Sequence, residues 1–317
     1  MTVFLSTLEQ MGFLFFILII GYVLAKTKAV PTNAATILSK LENNVFIPGL
    51  VIYTLMTSFT VTELSSSWQY FVGGMVLLAV SIPLSIFFSY VATKNGYERN
   101  IFTYALTFSN FGFMGNAVVK ALFPDVFPSY LIFTLPFWIG IYTWGVPSLL
   151  IPTSGGKQTV ASRLRAIINP MFISMLIGMI LGITGVAKYL PNFASSAIKT
   201  LGDCMSPVAM LLTGLTVAEL GLGKAFSKLS VYFISFVRLL LLPVLAVLVI
   251  MFMPFVPEGV ATCIVCFMAM PLGLNTIVIP KAYDLDTSTG SSMALISHIL
   301  SVGTIPLVFM LFEMLVK

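Results

Sequence analysis

Charge is what this chain has least of. Only 9% of its 317 residues are Asp, Glu, Lys or Arg, against 58% hydrophobic, whereas soluble domains carry about 25% charge. Sixteen basic and 11 acidic residues cannot cover a water-soluble protein of this size, so lipid is the expected solvent. Histidine occurs once, at His298, and cysteine three times, at Cys204, Cys263 and Cys266, all in apolar runs. This excludes a disulfide framework and leaves no cluster spaced for a metal. The C-x-x-C of Cys263 and Cys266 lies within an apolar run, not at the accessible helix N-terminus a redox pair needs. No phosphate loop, catalytic triad or zinc signature is present, and no polar stretch is long enough for a soluble domain. An enzyme, a nucleic-acid-binding module and a bound cofactor are therefore not expected.

What the chain does have is apolar length. Ten apolar segments, 7–26, 33–57, 67–92, 100–122, 127–151, 167–187, 194–217, 228–253, 258–281 and 289–315, alternate with short polar connections. A helix needs about 20 residues to span a bilayer and a barrel strand about 10. Backbone polar groups in lipid must be satisfied within the element, so an all-α integral membrane protein of ten transmembrane spans is expected. Glu9, not a basic region, precedes the first run, which therefore reads as a permanent span and not a cleaved leader.

Lysine and arginine set the orientation. Lys26, Lys28, Lys40, Lys94, Arg99, Lys157, Arg163, Arg165, Lys224, Lys228 and Lys281 fall on one side, and Lys120, Lys188, Lys199 and Lys317 on the other. The first set marks the cytoplasm, which places both termini outside a plasma membrane. The loop 152–166 divides a first half, 1–151, from a second, 167–317. The halves echo one another: Pro48 and Pro207, Phe108 and Phe267, Asn116 and Asn275, and Pro147 and Pro306 are each 159 residues apart, Pro83 and Pro243 160, and Gly21 and Gly178 157. A repeat of five spans re-enters the membrane from the opposite side, so two five-helix inverted repeats are expected, an arrangement used by secondary transporters.

Two spans carry helix-breaking residues in mid-membrane. Span 4 holds Asn110, Gly112, Gly115 and Asn116; span 9 holds Pro271, Gly273, Asn275 and Thr276. Glycine permits unwinding and proline removes a donor. A half-helix N-terminus left there carries about +0.5 of a charge and free N–H groups, so these eight residues are the expected substrate site, suited to an anion. The alternative is close helix packing by small residues. Arg238 lies within span 8, where a charge costs at least ~2.5–3.5 kcal/mol. It serves either as a counter-charge for an anion or as the partner of Asp203 or Glu42. Glu42, Asn43 and Asp203 read as proton-coupling groups or as helix contacts, and Lys281 as a gating residue or an ordinary interfacial lysine. His298 reads as a polar helix contact.

The segments SNFGFMGNAVVKALF and AMPLGLNTIVIPKAY, with NNVFIPGLVIYTL in span 2 and SHILSVGTIPLVFML in span 10, resemble the auxin efflux carrier family, which includes the plant PIN carriers and bacterial malate- or malonate-permease-like proteins. The resemblance implies a fold like that of the bile-acid sodium symporters. Spans 1, 2, 6 and 7 would form a scaffold, and spans 3–5 and 8–10 a mobile transport domain with spans 4 and 9 crossing at the substrate. It also implies an elevator-like movement and a homodimer through the scaffold. Asn110, Gly115 and the pair Lys120-Ala121 match the family's first crossover; Pro271, Gly273, Lys281 and Tyr283 match its second. Where the family has a proline after the first-crossover glycine, this chain has Asn116-Ala117. A small organic anion such as malate or malonate is the implied substrate, with lipid as the surrounding partner; the alternatives are a sodium-coupled or neutral-solute carrier of the same fold, or a non-transporting membrane sensor.

Overall fold

The computed structural model describes residues 2–151 and 170–315. The loop 152–166, with Lys157, Arg163 and Arg165, and the terminal Lys317 lie outside the described residues. Those described are helical, and no strand longer than a single isolated bridge occurs among them. The helices are α1 (Thr2–Lys26), α2 (Ala34–Leu41), α3 (Ile47–Ser58), α4 (Val61–Ala92), α5 (Gly96–Thr107), α6 (Asn116–Leu122) and α7 (Phe127–Gly140). After the undescribed loop come α8 (Pro170–Thr184), α9 (Asn192–Asp203), α10 (Met205–Leu220), α11 (Leu229–Phe236), α12 (Leu242–Met251), α13 (Glu258–Ala269), α14 (Asn275–Ala282) and α15 (Ser288–Leu315). Widened, π-helical turns join α2 to α3 (Glu42–Phe46), lead into α6 (Phe111–Gly115), extend α7 (Ile141–Leu150) and join α11 to α12 (Val237–Leu241).

Each of the ten apolar segments thus holds helix, but not each holds one uninterrupted helix. Among the described residues five stretches are long and apolar enough to cross a membrane by length and composition: Val61–Ala92, Phe127–Leu150, Asn192–Leu220, Leu229–Met251 and Ser288–Leu315. Spans 4 and 9 are divided by true breaks. Large apolar side chains stand exposed along α4 (Val76, Val80, Phe87) and α8 (Ile173, Ile177, Ile180), a surface suited to lipid and not to water.

Helix pairing follows small residues. α1 packs on α10, α3 on α8 and α9, α4 on α5 and α7, and α15 on α11, α12 and α13. At the first contact, a Cβ built on Gly214 would fall on the backbone of Leu18 and lie 3.0 Å from Gly21 Cα. Only a residue without a side chain lets these backbones approach so closely. Such close packing is what associates helices where no hydrophobic drive separates protein from lipid.

At one end of the molecule the connections meet. Lys228 bonds Glu98 (3.0 Å), Lys281 bonds Glu219 (2.6 Å), Lys40 lies 4.0 Å from Asp284, and the Tyr97 hydroxyl donates to the Asp286 carbonyl (2.9 Å). The three lysines all belong to the set expected on the cytoplasmic side. A cavity of about 440 Å³ opens at the same end, lined in part by Lys26, Lys28 and Glu219. Partial burial pushes the Glu98 carboxyl up, but hydrogen bonds from Thr93 and Lys228, the lysine's charge and a further bond from Thr289 outweigh it and hold Glu98 below the ordinary carboxylate value.

Candidate functional site

The breaks in spans 4 and 9 lie against each other. α5 ends at Thr107, and Phe108 (φ −112°, ψ 88°) and Asn110 (φ −75°, ψ 42°) are not helical. α13 ends at Ala269, and Met270 is extended (φ −71°, ψ 144°). Ser109 and Leu272 pair as one antiparallel bridge, and the Asn110 N–H donates to the Pro271 carbonyl at 2.8 Å. The polar groups freed by unwinding are thereby partly satisfied by each other, as a buried environment demands.

The break in span 4 takes in Asn110 but not Gly112, Gly115 and Asn116, which follow it. Gly112 and Gly115 lie in the π-helical turn, and Asn116 opens α6. The reason is the missing proline. In span 9 Pro271 offers no N–H, so the ladder stops there. Span 4 has no such stop, and a widened turn carries the chain on, with the Asn110 carbonyl accepting from both Met114 (3.1 Å) and Gly115 (2.9 Å). Asn116 and Asn275 still occupy equivalent places, each the first residue of the half-helix after its break.

Between the breaks is a narrow crevice of about 10 Å³, lined by residues including Ser109, Gly112, Trp138, Gly273 and Asn275. That is room for about one water. The widened turn before α6 (Phe111, Gly112, Phe113) and the start of α14 (Leu274, Asn275) border it. The Met114 and Gly115 N–H groups bond the Asn110 carbonyl, and those of Thr276 and Ile277 bond the Gly273 and Leu274 carbonyls, so the donors left for a solute are the earlier N–H groups of each turn. Both glycines keep the crevice walls close: a Cβ on Gly273 would lie 2.6 Å from the Phe108 carbonyl, and one on Gly112 3.0 Å from the Trp138 ring. Phe111, Phe137, Phe267 and Trp138 form the aromatic floor, with Phe137 and Phe267 centroids 4.0 Å apart and Phe111 and Trp138 5.0 Å apart.

Of the eight residues expected at the site, Gly112, Gly273 and Asn275 line the crevice. The others stand behind it. Asn110 donates from Nδ2 to His298 Nε2 (2.8 Å), because His298 Nδ1–H is committed to the Ala294 carbonyl (2.7 Å) and Nε2 can only accept. Thr276 turns back to donate to the Gly273 carbonyl (2.8 Å). Gly115 leaves space for the Tyr130 hydroxyl, and Pro271 serves through its carbonyl. Asn275 Nδ2 donates to Tyr104 Oη at 2.9 Å. A tyrosine hydroxyl also donates, so the same contact allows the amide to turn and present Nδ2 to the crevice. The Oδ1 atoms of Asn110, Asn116 and Asn275 are buried without a hydrogen-bond partner among the described residues. Sequence reasoning passed over Tyr104, Ser109 and Trp138. Their one signal is position: Tyr104 and Ser109 lie within a turn of the span 4 break.

The charged candidates separate. Arg238 is fully buried and pairs with neither Asp203 nor Glu42. Its guanidinium donates to the carbonyls of Phe267 (Nη2, 2.6 Å), Met270 (Nε, 3.0 Å) and Leu106 (Nη1, 3.1 Å). Asp203 is mostly exposed and bonds Lys199 at 2.6 Å, which takes it out of any buried coupling group. Glu42 is fully buried in the turn between α2 and α3, and neither carboxyl oxygen has a partner among the described residues. Asn43 beside it lies near the Tyr283 hydroxyl. Lys281 pairs with Glu219, joining α14 to α10. Among the described residues no group of His, Cys, Asp and Glu has the arrangement of a metal site.

A sequence comparison supplies the class. No curated protein matches the chain. A family profile described as membrane transport protein matches residues 6–309, nearly the whole length and both broken spans. The chain belongs to that family of membrane transport proteins, the auxin efflux carrier family its motifs resemble.

Proposed function

We propose that the protein is a secondary transporter of a small organic anion, a mono- or dicarboxylate such as malate or malonate, bound between the two breaks and carried by an elevator-type movement. The observation that carries this reading is one crevice bordered by the widened turn that leads into α6 and by the start of α14, with Asn275 as its amide. The positive ends of two helix dipoles favour a carboxylate. At about 10 Å³ the crevice is too small for an organic anion, so α5, α14 and Trp138 must part before a solute enters.

Contacts that recur in both halves support the inverted repeat. A Cβ on Gly21 would fall on the backbone of Leu211, and one on Gly178 on that of Ile52, 3.1 Å from its Cα and its carbonyl oxygen. Ile52 and Leu211 are 159 residues apart, the offset of the repeat. The contact of span 1 with span 7 is thus repeated as that of span 6 with span 2. Spans 1, 2, 6 and 7 form the scaffold, and spans 3–5 and 8–10 the transport domain. The two touch where Ser39 Oγ donates to the Val278 carbonyl, where Asn43 meets Tyr283 and where Lys281 meets Glu219. Glu42, beside this boundary, is the proton-coupling group, and Lys281 the gate. The carrier sits in the plasma membrane with both termini outside and dimerises through its scaffold.

A thermal-shift screen of the purified chain tests the substrate class, since a ligand that binds only the folded state raises the unfolding midpoint. Malate, malonate or another carboxylate should raise it saturably. The unpartnered Asn oxygens favour a second reading, a neutral solute rich in N–H or O–H donors. A response to neutral amides or polyols and to no acid would select it.

A further inference from the structure

The guanidinium of Arg238 joins the C-terminal ends of two different half-helices. Leu106 belongs to the last turn of α5, Phe267 to the last turn of α13, and Met270 is the residue next after α13. The last carbonyls of a helix have no partner within it, and each such end carries about −0.5 of a charge. In transporters built on broken helices, these ends and the unwound carbonyls beside them coordinate Na⁺ or H⁺. Here a side chain of the protein does so, with one donor to each carbonyl at 2.6–3.1 Å. Met268 Sδ (3.6 Å from Nη1) and the Phe267 ring (5.4 Å) close the remaining sides. The ion pairs Lys40–Asp284, Lys199–Asp203, Lys228–Glu98 and Lys281–Glu219 lie elsewhere, and the three carbonyls face this charge directly. The widened turn Val237–Leu241 presents the side chain.

We propose that Arg238 is a tethered replacement for a coupling cation. Its guanidinium occupies the place where an exchangeable monovalent cation would neutralise both half-helix C-termini, so the carrier takes up no Na⁺ or K⁺ there. Its charge stays with the helix pair throughout the transport cycle. The charge also reaches the crevice through one shared atom. The Phe267 carbonyl that accepts from Arg238 accepts from Ser109 Oγ as well (3.2 Å), and Ser109 lines the crevice. Arg238 is therefore a positioning residue that acts on the solute through the backbone. The proposal deepens the carrier reading and rests on it for its functional meaning, but its test needs no organic acid.

The experiment is thermal unfolding of the purified full chain in choline chloride, with Na⁺, K⁺ or guanidinium replacing choline at low millimolar concentration and constant ionic strength. Wild type should show one midpoint in all four salts. Arg238→Ala should unfold several degrees lower and be restored saturably by guanidinium or Na⁺ but not by choline, a rescue that lost packing alone would not give. Arg238→Lys should keep most of the wild-type midpoint and stay indifferent to the salt. A saturable Na⁺- or K⁺-dependent rise in wild type overturns the proposal. So does a folded Arg238→Ala that no cation restores. If Arg238→Ala does not accumulate, wild type and Arg238→Lys decide: indifference in both supports the proposal, and a cation response in either overturns it. Absence of any organic-acid response would count against the carrier reading and leave these outcomes unaffected.

Discussion

Single atoms settle most of what happens at the crevice. Gly273 stands against the Phe108 carbonyl, so Gly273→Ala must push two backbones apart. A loss of about 1–3 kcal/mol in stability is expected for such overpacking, read as a lower midpoint in thermal unfolding, together with loss of ligand response. Asn275→Ala removes an amide whose side-chain hydrogen bond among the described residues is to Tyr104. It should leave the fold intact by circular dichroism and abolish the ligand-induced shift. Glu98 provides a pH test. Its carboxyl is held below the ordinary value by Thr93, Lys228 and Thr289, so its contribution to stability is complete above the unfolded-state value. That contribution is lost as pH falls through the lower folded value. Acid titration of the unfolding midpoint should show this loss in wild type and a weaker one in Glu98→Gln. At this scale the sequence announced residue types better than roles. It marked the Asn and Gly residues of both breaks, but not that Asn110 would be held by His298 or that Thr276 would face its own backbone. The first depends on what a neighbouring helix presents, the second on a carbonyl that unwinding frees at Gly273.

At the scale of elements, the broken spans were legible because Pro271, Gly273 and the glycines of span 4 disrupt the helix ladder locally. The position of the first break was not. Without a proline nothing local fixes it, and the packing of Asn110 against Pro271 chooses Phe108–Asn110. Arg238 was visible as a buried charge, but its partners are backbone carbonyls, which every residue has and no sequence pattern marks. Where α14 meets α10, Lys281 and Glu219 form a partly exposed pair, worth about 0.2–1 kcal/mol. Lys281→Glu or Glu219→Lys alone should change transport rate by less than about tenfold, and the exchanged pair Lys281→Glu with Glu219→Lys should restore it. Rates for the four proteins in one vesicle preparation decide whether the pair gates the carrier or merely coats its surface.

For the molecule as a whole, low charge and apolar segment length were enough to foresee a helical membrane protein, and the family match places it among transporters. Less foreseeable was how closely the halves would meet at glycine contacts, because helix register depends on three-dimensional packing. If Glu42 carries the coupling proton, Glu42→Gln should bind solute but no longer respond to a pH gradient. Uptake measured with and without an imposed gradient reads this directly.

The account stands on one solute being held between the two breaks. Counterflow in proteoliposomes measures it most directly, with labelled malate or malonate outside and unlabelled acid inside. Saturable accumulation by wild type, lost in Asn275→Ala at equal reconstituted protein, is the predicted result. Equal accumulation by both proteins, or none with any organic acid, would contradict it.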